Sequence, residues 1–268
     1  MFDLISTAGA AAGAHEGGYG MMPASMCVVK EGDSPYGLVP ALCEGGLVSQ
    51  VTFLVMLIMF VGTLYILFTK LLEQNKVMKQ GKAVSAGFWR APTLAEGAAK
   101  LEKNSAYRQV VEDGLRANME HTKLTDPVEA HDWMHGTLER SQNHINSKLN
   151  GGLAFLATVG STAPFVGLFG TVIGILRALV KIGASGQASI DTVAGPVGEA
   201  LIMTAIGLIV AVPAVLAFNW LQSRNKAIAR DLSTFANDVL GSIMSNGQVK
   251  PAAPAAPAAA AKPAAAKA

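Results

Sequence analysis

A single carboxylate interrupts the most apolar stretch of this sequence: Glu199, within AGPVGEALIMTAIGLIVAVPAVLAFNWL from Ala194 to Leu221. As a helix rising about 1.5 Å per residue, this stretch exceeds the ~30 Å hydrocarbon core of a bilayer. A charge at that depth costs about 2.5 to 3.5 kcal/mol on insertion scales, so such a group usually faces a bundle interior or a water path. Burial disfavours the ionised carboxylate, which suits Glu199 to exchanging a proton when a hydrated path opens. The strong donors near its depth are Arg177 and Lys181, and they can serve a structural role only if they point inward. One titratable site between two aqueous sides suits proton transfer better than the binding of a large solute.

Other groups could do chemistry, and each has a plainer reading. Thr171 and Thr204 are polar without charge; either can donate to a carbonyl one turn back in its own helix or line a path. His131 and His135 stand four apart on one predicted helix and could direct two imidazoles at a metal. No Cys or third His completes a ligand set nearby, so packing or a solvated face is favoured and no metal is expected. Asp191 is expected in a solvated loop. Cys27 and Cys43 form either a disulfide or two unpaired thiols; the disulfide would close a loop of about 15 residues and contribute roughly 3 kcal/mol. No P-loop, GxSxG elbow or HExxH is present, so neither an enzyme nor a cofactor is implied.

The elements that carry these residues follow from composition. The chain is 51% hydrophobic with a mean hydropathy of +0.36. Only 15% of its residues are charged, against about 25% in soluble domains. The expected fold is an all-α integral membrane protein with three transmembrane helices and long cytoplasmic helical extensions. Net charge is +2, without a dense basic stripe, so nucleic acid is not implied. Residues 1–46, rich in Gly, Ala and Met, are expected to form an extracytoplasmic segment without a cleavable signal. The spans are expected at 47–72, 151–182 and 194–222, joined by a polar helical region at 73–150 and a short loop at 183–193. A C-terminal helix at 223–246 precedes a disordered Ala/Pro/Lys tail at 247–268. Lys70, Lys76, Lys79, Lys82 and Arg90 follow the first span, whereas acids dominate before it. The positive-inside rule then puts the N-terminus outside and the C-terminus in the cytoplasm. Arg177 and Lys181 run against that count and are read as snorkelling to the outer interface.

Within the polar region, Tyr107, Val111, Leu115 and Met119 predict an amphipathic helix ending near Thr122. Asp126 and Pro127 predict the start of another, with Asp126 as its cap. Its stripe of Val128, Leu138, Ile145 and Leu149 is interrupted by His131, His135 and Gln142. With no strong breaker at Asn150-Gly151-Gly152, it is expected to run on into the second span. Gly167, Gly170 and Gly174 in the second span, and Ala200, Thr204, Gly207 and Ala211 in the third, are small residues at helical spacing that allow close backbone approach. Pro164, Pro196 and Pro213 are candidate kinks.

GLFGTVIGILRAL at Gly167 to Leu179 and AGPVGEALIMTAIGLIVAVPAVLAFN at Ala194 to Asn219 resemble the paired motifs of the ExbB/TolQ/MotA proton-channel family, most closely its ExbB branch. The layout agrees from about Val48 to Leu240, although the segment before the first span is longer than in TolQ-like chains. The resemblance implies a homopentamer around a central pore lined by the second and third spans, in the inner membrane. A single-span ExbD- or TolR-like partner would insert there, its aspartate carrying protons, and a TonB- or TolA-like protein would transmit the work. Thr171, Glu199 and Thr204 match the family's polar pore positions. The implied function is an ExbB-ExbD type motor driven by the proton motive force; the alternatives are a TolQ-like Tol-Pal subunit or a non-conducting scaffold for the partner. MotA fits less well, having four spans and no matching glutamate.

Overall fold

A computed structural model describes Leu42 and residues 46–125, 129–186 and 190–251. Most of those residues are helical, and none of them is in a strand. In order they form α1 (Gly46–Gly87), a short 3-10 turn (Phe88–Arg90), α2 (Leu94–Ala99), α3 (Ala106–His121), α4 (Ala130–Asn150), α5 (Leu153–Ser185) and α6 (Ile190–Met244). Three helical stretches are long and apolar enough to cross a membrane, so the expected three-span, all-α membrane class holds. Cys27, Cys43, Asp126, Pro127, Val128 and the tail from 252 lie outside the described residues.

The chain divides into two compact units, and α1 and α6 contribute to both. The first holds residues up to Ile66 together with Ala154–Phe218. Its core is built from Met56, Val159, Ala163, Met203, Val210, Ala211 and Ala214, all nearly inaccessible. Small residues set how closely its helices approach. A Cβ on Gly167 would stand 2.8 Å from the Met203 carbonyl oxygen and 3.1 Å from the Gly207 Cα; one on Gly207 would stand 2.9 Å from the Ala163 carbonyl oxygen. Those neighbours are backbone and cannot swing aside. Gly207→Ala should therefore force α5 and α6 apart at a cost of about 1 to 3 kcal/mol, read as a lower melting temperature of the detergent-solubilised protein; Gly183→Ala, with open space around it, should leave melting unchanged. Outward from this core, Ile58, Tyr65, Phe165, Val180, Leu201 and Leu216 are each more than 60% exposed. An apolar surface of that extent needs lipid or other protein against it.

The helices run through Pro164, Pro196 and Pro213 without a break in their assignment. The connection expected at 183–193 is shorter: α5 reaches Ser185 and α6 resumes at Ile190, which places Asp191 in a helical first turn. Gly186, at φ +65°, ends α5 by donating its N–H to the Ile182 carbonyl at 3.0 Å.

The second unit holds Leu67–Leu153 and the chain from Asn219 onward. The last turns of α6 supply a buried stripe of Ile228, Leu232, Phe235, Val239 and Ile243. Phe235 meets Phe88 and Tyr107 edge to face, with centroids 5.3 and 5.2 Å apart. A buried amide pair ties α1 to α6 here: the Gln74 amide donates to the Leu221 carbonyl at 2.9 Å and to Asn225 Oδ1 at 2.7 Å. The Asn225 amide in turn donates to the Leu149 carbonyl at 3.1 Å.

Three expectations for this region change. Met119 is 61% exposed, and the buried face of α3 is Tyr107, Val110, Val111, Gly114 and Ala117. Steps of four residues turn about 40° beyond a full circle each, so a run of them leaves the face. On α4 the expected Leu138, Ile145 and Leu149 are buried, but Met134 and Ser141 join them where the two histidines are expected to interrupt the stripe, and both histidines are exposed. Nor does α4 run unbroken into α5: Gly151, at φ −54° and ψ 132°, leaves the helical region right after Asn150, and Gly152 follows at φ +84°, in the left-handed region.

Burial, and after it the nearby Asp231 charge, push the Tyr107 phenol from 10.0 up to about 12. The folded chain thus keeps a proton that the unfolded chain releases above about pH 10, so this contribution is intact below pH 10 and is lost as pH rises toward 12. Between pH 9 and 11.5, Tyr107→Phe should lose less thermal stability than the parent, by about 1 to 2 kcal/mol. Equal alkaline losses in the two would show that this phenol does not set the slope.

Candidate functional site

Gly174 starts the site. A Cβ there would stand 3.0 Å from the Ala200 Cβ and 3.1 Å from the Pro196 carbonyl oxygen, so α5 and α6 run nearly in contact at this level. Arg177, three residues on along α5, and Glu199, beside Ala200 on α6, are thereby brought side by side. The Arg177 Nη1 stands 3.5 Å from Glu199 Oε1. The third corner comes from the first turn of α1, where the Ser49 hydroxyl donates to Glu199 Oε1 and accepts from Arg177 Nη1 at 3.3 Å. All three spanning helices thus meet on one carboxylate.

Burial differs sharply across the cluster. The Glu199 side chain is 2% exposed and that of Arg177 30%. Ser49 is buried, as are its neighbours Gln50 and Thr52. Arg177 does not simply reach outward, as the snorkelling reading expects: it turns inward to Glu199, the opposite charge on the facing helix. Lys181, by contrast, is exposed. Gly46, at φ +60°, opens α1 and leaves room beside Arg177; its Cβ would come 4.0 Å from Nη2.

The two threonines lie on the same helix pair. Thr171 is buried and donates to the Leu168 carbonyl at 2.6 Å, the local bond open to it on a helix. Thr204 is half-buried, its Cα 3.3 Å from where a Gly167 Cβ would stand. Gly170, against Met203, and Pro196, against Gly174, complete the packing; Pro213 is half-buried further along α6.

Comparison with known proteins decides the family. Residues 102–234 match the MotA/TolQ/ExbB proton channel family. A biopolymer transport protein ExbB of Xanthomonas campestris is 36% identical over 213 residues, covering 76% of this chain and 84% of that one. An ExbB of Neisseria meningitidis is 35% identical over 70% of this chain and 88% of its own. The Tol-Pal system protein TolQ of Pseudomonas aeruginosa is 30% identical over 72% and 88%. The chain belongs to the MotA/TolQ/ExbB proton channel family. It is a multi-pass, energy-transducing membrane subunit, most like ExbB.

The family match includes Thr171, Arg177, Glu199, Thr204, Gly167 and Gly207, whereas Ser49 precedes it. Reading the sequence missed Ser49. Its available signal was a Ser-Gln pair followed by Thr52 in the first turns of an otherwise apolar span, three polar side chains that the interior must satisfy.

Proposed function

We propose that this chain is the proton-channel and stator subunit of an ExbB-ExbD type motor in the inner membrane, using the proton motive force to energise TonB-dependent outer-membrane transport. The observation that carries the proposal is Glu199, a carboxylate buried where three apolar helices meet and held by Arg177 and Ser49. An acid costly to place in a membrane is retained where it can be charged, neutralised and repositioned. One charge crossing 100 mV releases about 2.3 kcal/mol, so several protons can drive a conformational step. In this reading five copies surround a pore, a single-span ExbD- or TolR-like partner supplies an aspartate inside it, and Thr171 and Thr204 with Glu199 form the polar lining. A TonB- or TolA-like protein carries the work outward.

Two second readings have their own support. The similarity to TolQ chains supports a Tol-Pal role. The Arg177–Glu199 pair, as a structural clasp, supports a scaffold that holds its partner without conducting. Expression of the chain with its single-span partner in a host lacking both systems separates the branches. Restored TonB-dependent uptake without repair of envelope leakage supports the ExbB role; the reverse pattern assigns the TolQ role.

The proposed orientation has the N-terminus periplasmic and the C-terminus cytoplasmic. After reduction, a membrane-impermeant thiol reagent is expected to label Cys27 and Cys43 in intact spheroplasts. Labelling that requires lysis would invert the topology.

A further inference from the structure

The His131 and His135 rings lie outside the proton site, on the solvent side of α4. Their centroids are 5.9 Å apart and their planes 19° from parallel. Four residues apart, they share one helical face, and because both side chains are exposed the stacked rings can turn to bring a nitrogen of each onto one cation. Asp132 Oδ1 stands 3.3 Å from His131 Nδ1. A carboxylate on one ring nitrogen fixes the tautomer that leaves the other nitrogen's lone pair outward, as the outer shell of a metal-bound histidine does. Both histidines are exposed, with His131 at 58% and Asp132 at 73%, so an ion can reach them without the helix opening. A cation at the start of a helix meets the positive end of its dipole; Asp132 and the exposed Glu129 at the cap offset that charge.

We propose that His131 and His135 form a surface site for one divalent transition-metal ion of the copper, nickel or zinc class, with Asp132 orienting the His131 ring. Imidazole nitrogen selects these ions over magnesium and calcium, and among them Cu2+ binds tightest. No cluster of three or more His, Cys, Asp or Glu is placed to hold a metal among the described residues. The chain therefore supplies two ligands and water supplies the rest. The ion would staple the opening of α4, which packs on α3 through the Trp133 indole N–H donating to the Ala117 carbonyl at 3.1 Å.

The test uses the full-length, untagged protein in detergent, titrated with Cu2+ alone and with Zn2+ alone, and read by calorimetry and, for Cu2+, by electron paramagnetic resonance. One ion per chain is expected, with nitrogen couplings from both imidazoles. His131→Ala and His135→Ala should each abolish saturable binding while the helical signal stays constant, since alanine favours an exposed helix at least as well as histidine. Asp132→Asn should keep the site but weaken it by about tenfold. Undiminished binding in the His131→Ala/His135→Ala double variant would overturn the assignment, as would no saturable binding in the parent.

Discussion

Glu199→Gln is expected to abolish proton-driven work while leaving the protein assembled in the membrane. Glutamine has nearly the shape of glutamate and keeps a carbonyl oxygen to accept from Ser49 and Arg177, the contacts that place Glu199 among the three helices. It cannot bind and release a proton. If Glu199 carries protons, flux in vesicles reconstituted with the single-span partner should fall by roughly 10²-fold or more, the range attributed to one positioned proton-transfer group, and TonB-dependent uptake should fall with it. Glu199→Ala removes the acceptor as well and leaves Arg177 facing an apolar gap, so it should lose activity and stability together. The pairing of the variants separates channel from scaffold. Full activity in correctly assembled Glu199→Gln would sink the channel role, whereas failure of that same variant to assemble would favour the structural clasp.

How far the sequence reveals this arrangement depends on which physical signal reports each part. The spans are legible because bilayer thickness demands long apolar runs, and Glu199 is conspicuous because acids are costly within them. The glycine crossing is legible too, since Gly167 and Gly207 fall at helical spacing on facing motifs and only missing side chains permit such approach. The direction of Arg177 is not. Hydropathy and the count of flanking positive charges say that a cation near a helix end can reach water, but not which face of the helix it occupies; the inward turn is set by Glu199, twenty-two positions away. Ser49 is hidden for the same reason, because one hydroxyl in an apolar run carries no sign of the carboxylate it will meet 150 positions later. In the second unit the difficulty is angular. A stripe read from four-residue steps drifts off the true face, which is how Met119 joins a core it does not enter; on α4, where the spacing alternates three and four, Leu138, Ile145 and Leu149 are legible and buried, while His131 and His135 at its start stay exposed.

Arg177 offers the sharper energetic test of the site. Removing one partner of a buried ion pair leaves the other charge without compensation, at about 3 to 5 kcal/mol. Arg177 retains 30% exposure, so hydration already screens part of the interaction and about 2 to 4 kcal/mol is expected for Arg177→Ala. That loss should appear as a lower melting temperature in detergent and less protein in the membrane. Arg177→Lys should recover only part of it, since one Arg177 nitrogen, Nη1, reaches both Ser49 and Glu199, and an ammonium on a shorter stem does not reproduce its position. The double variant Arg177→Ala/Glu199→Gln should be less destabilised than the sum of the two single changes, because with the acid gone no buried charge is stranded; contacting residues show couplings of about 0.5 to 3 kcal/mol. Strict additivity would mean that the 3.5 Å approach carries no free energy, and that Ser49 and helix packing alone hold the carboxylate in place. Activity then divides the roles: if Arg177 only positions Glu199, assembled Arg177→Lys should retain measurable proton flux, whereas Glu199→Gln, equally well assembled, should retain none.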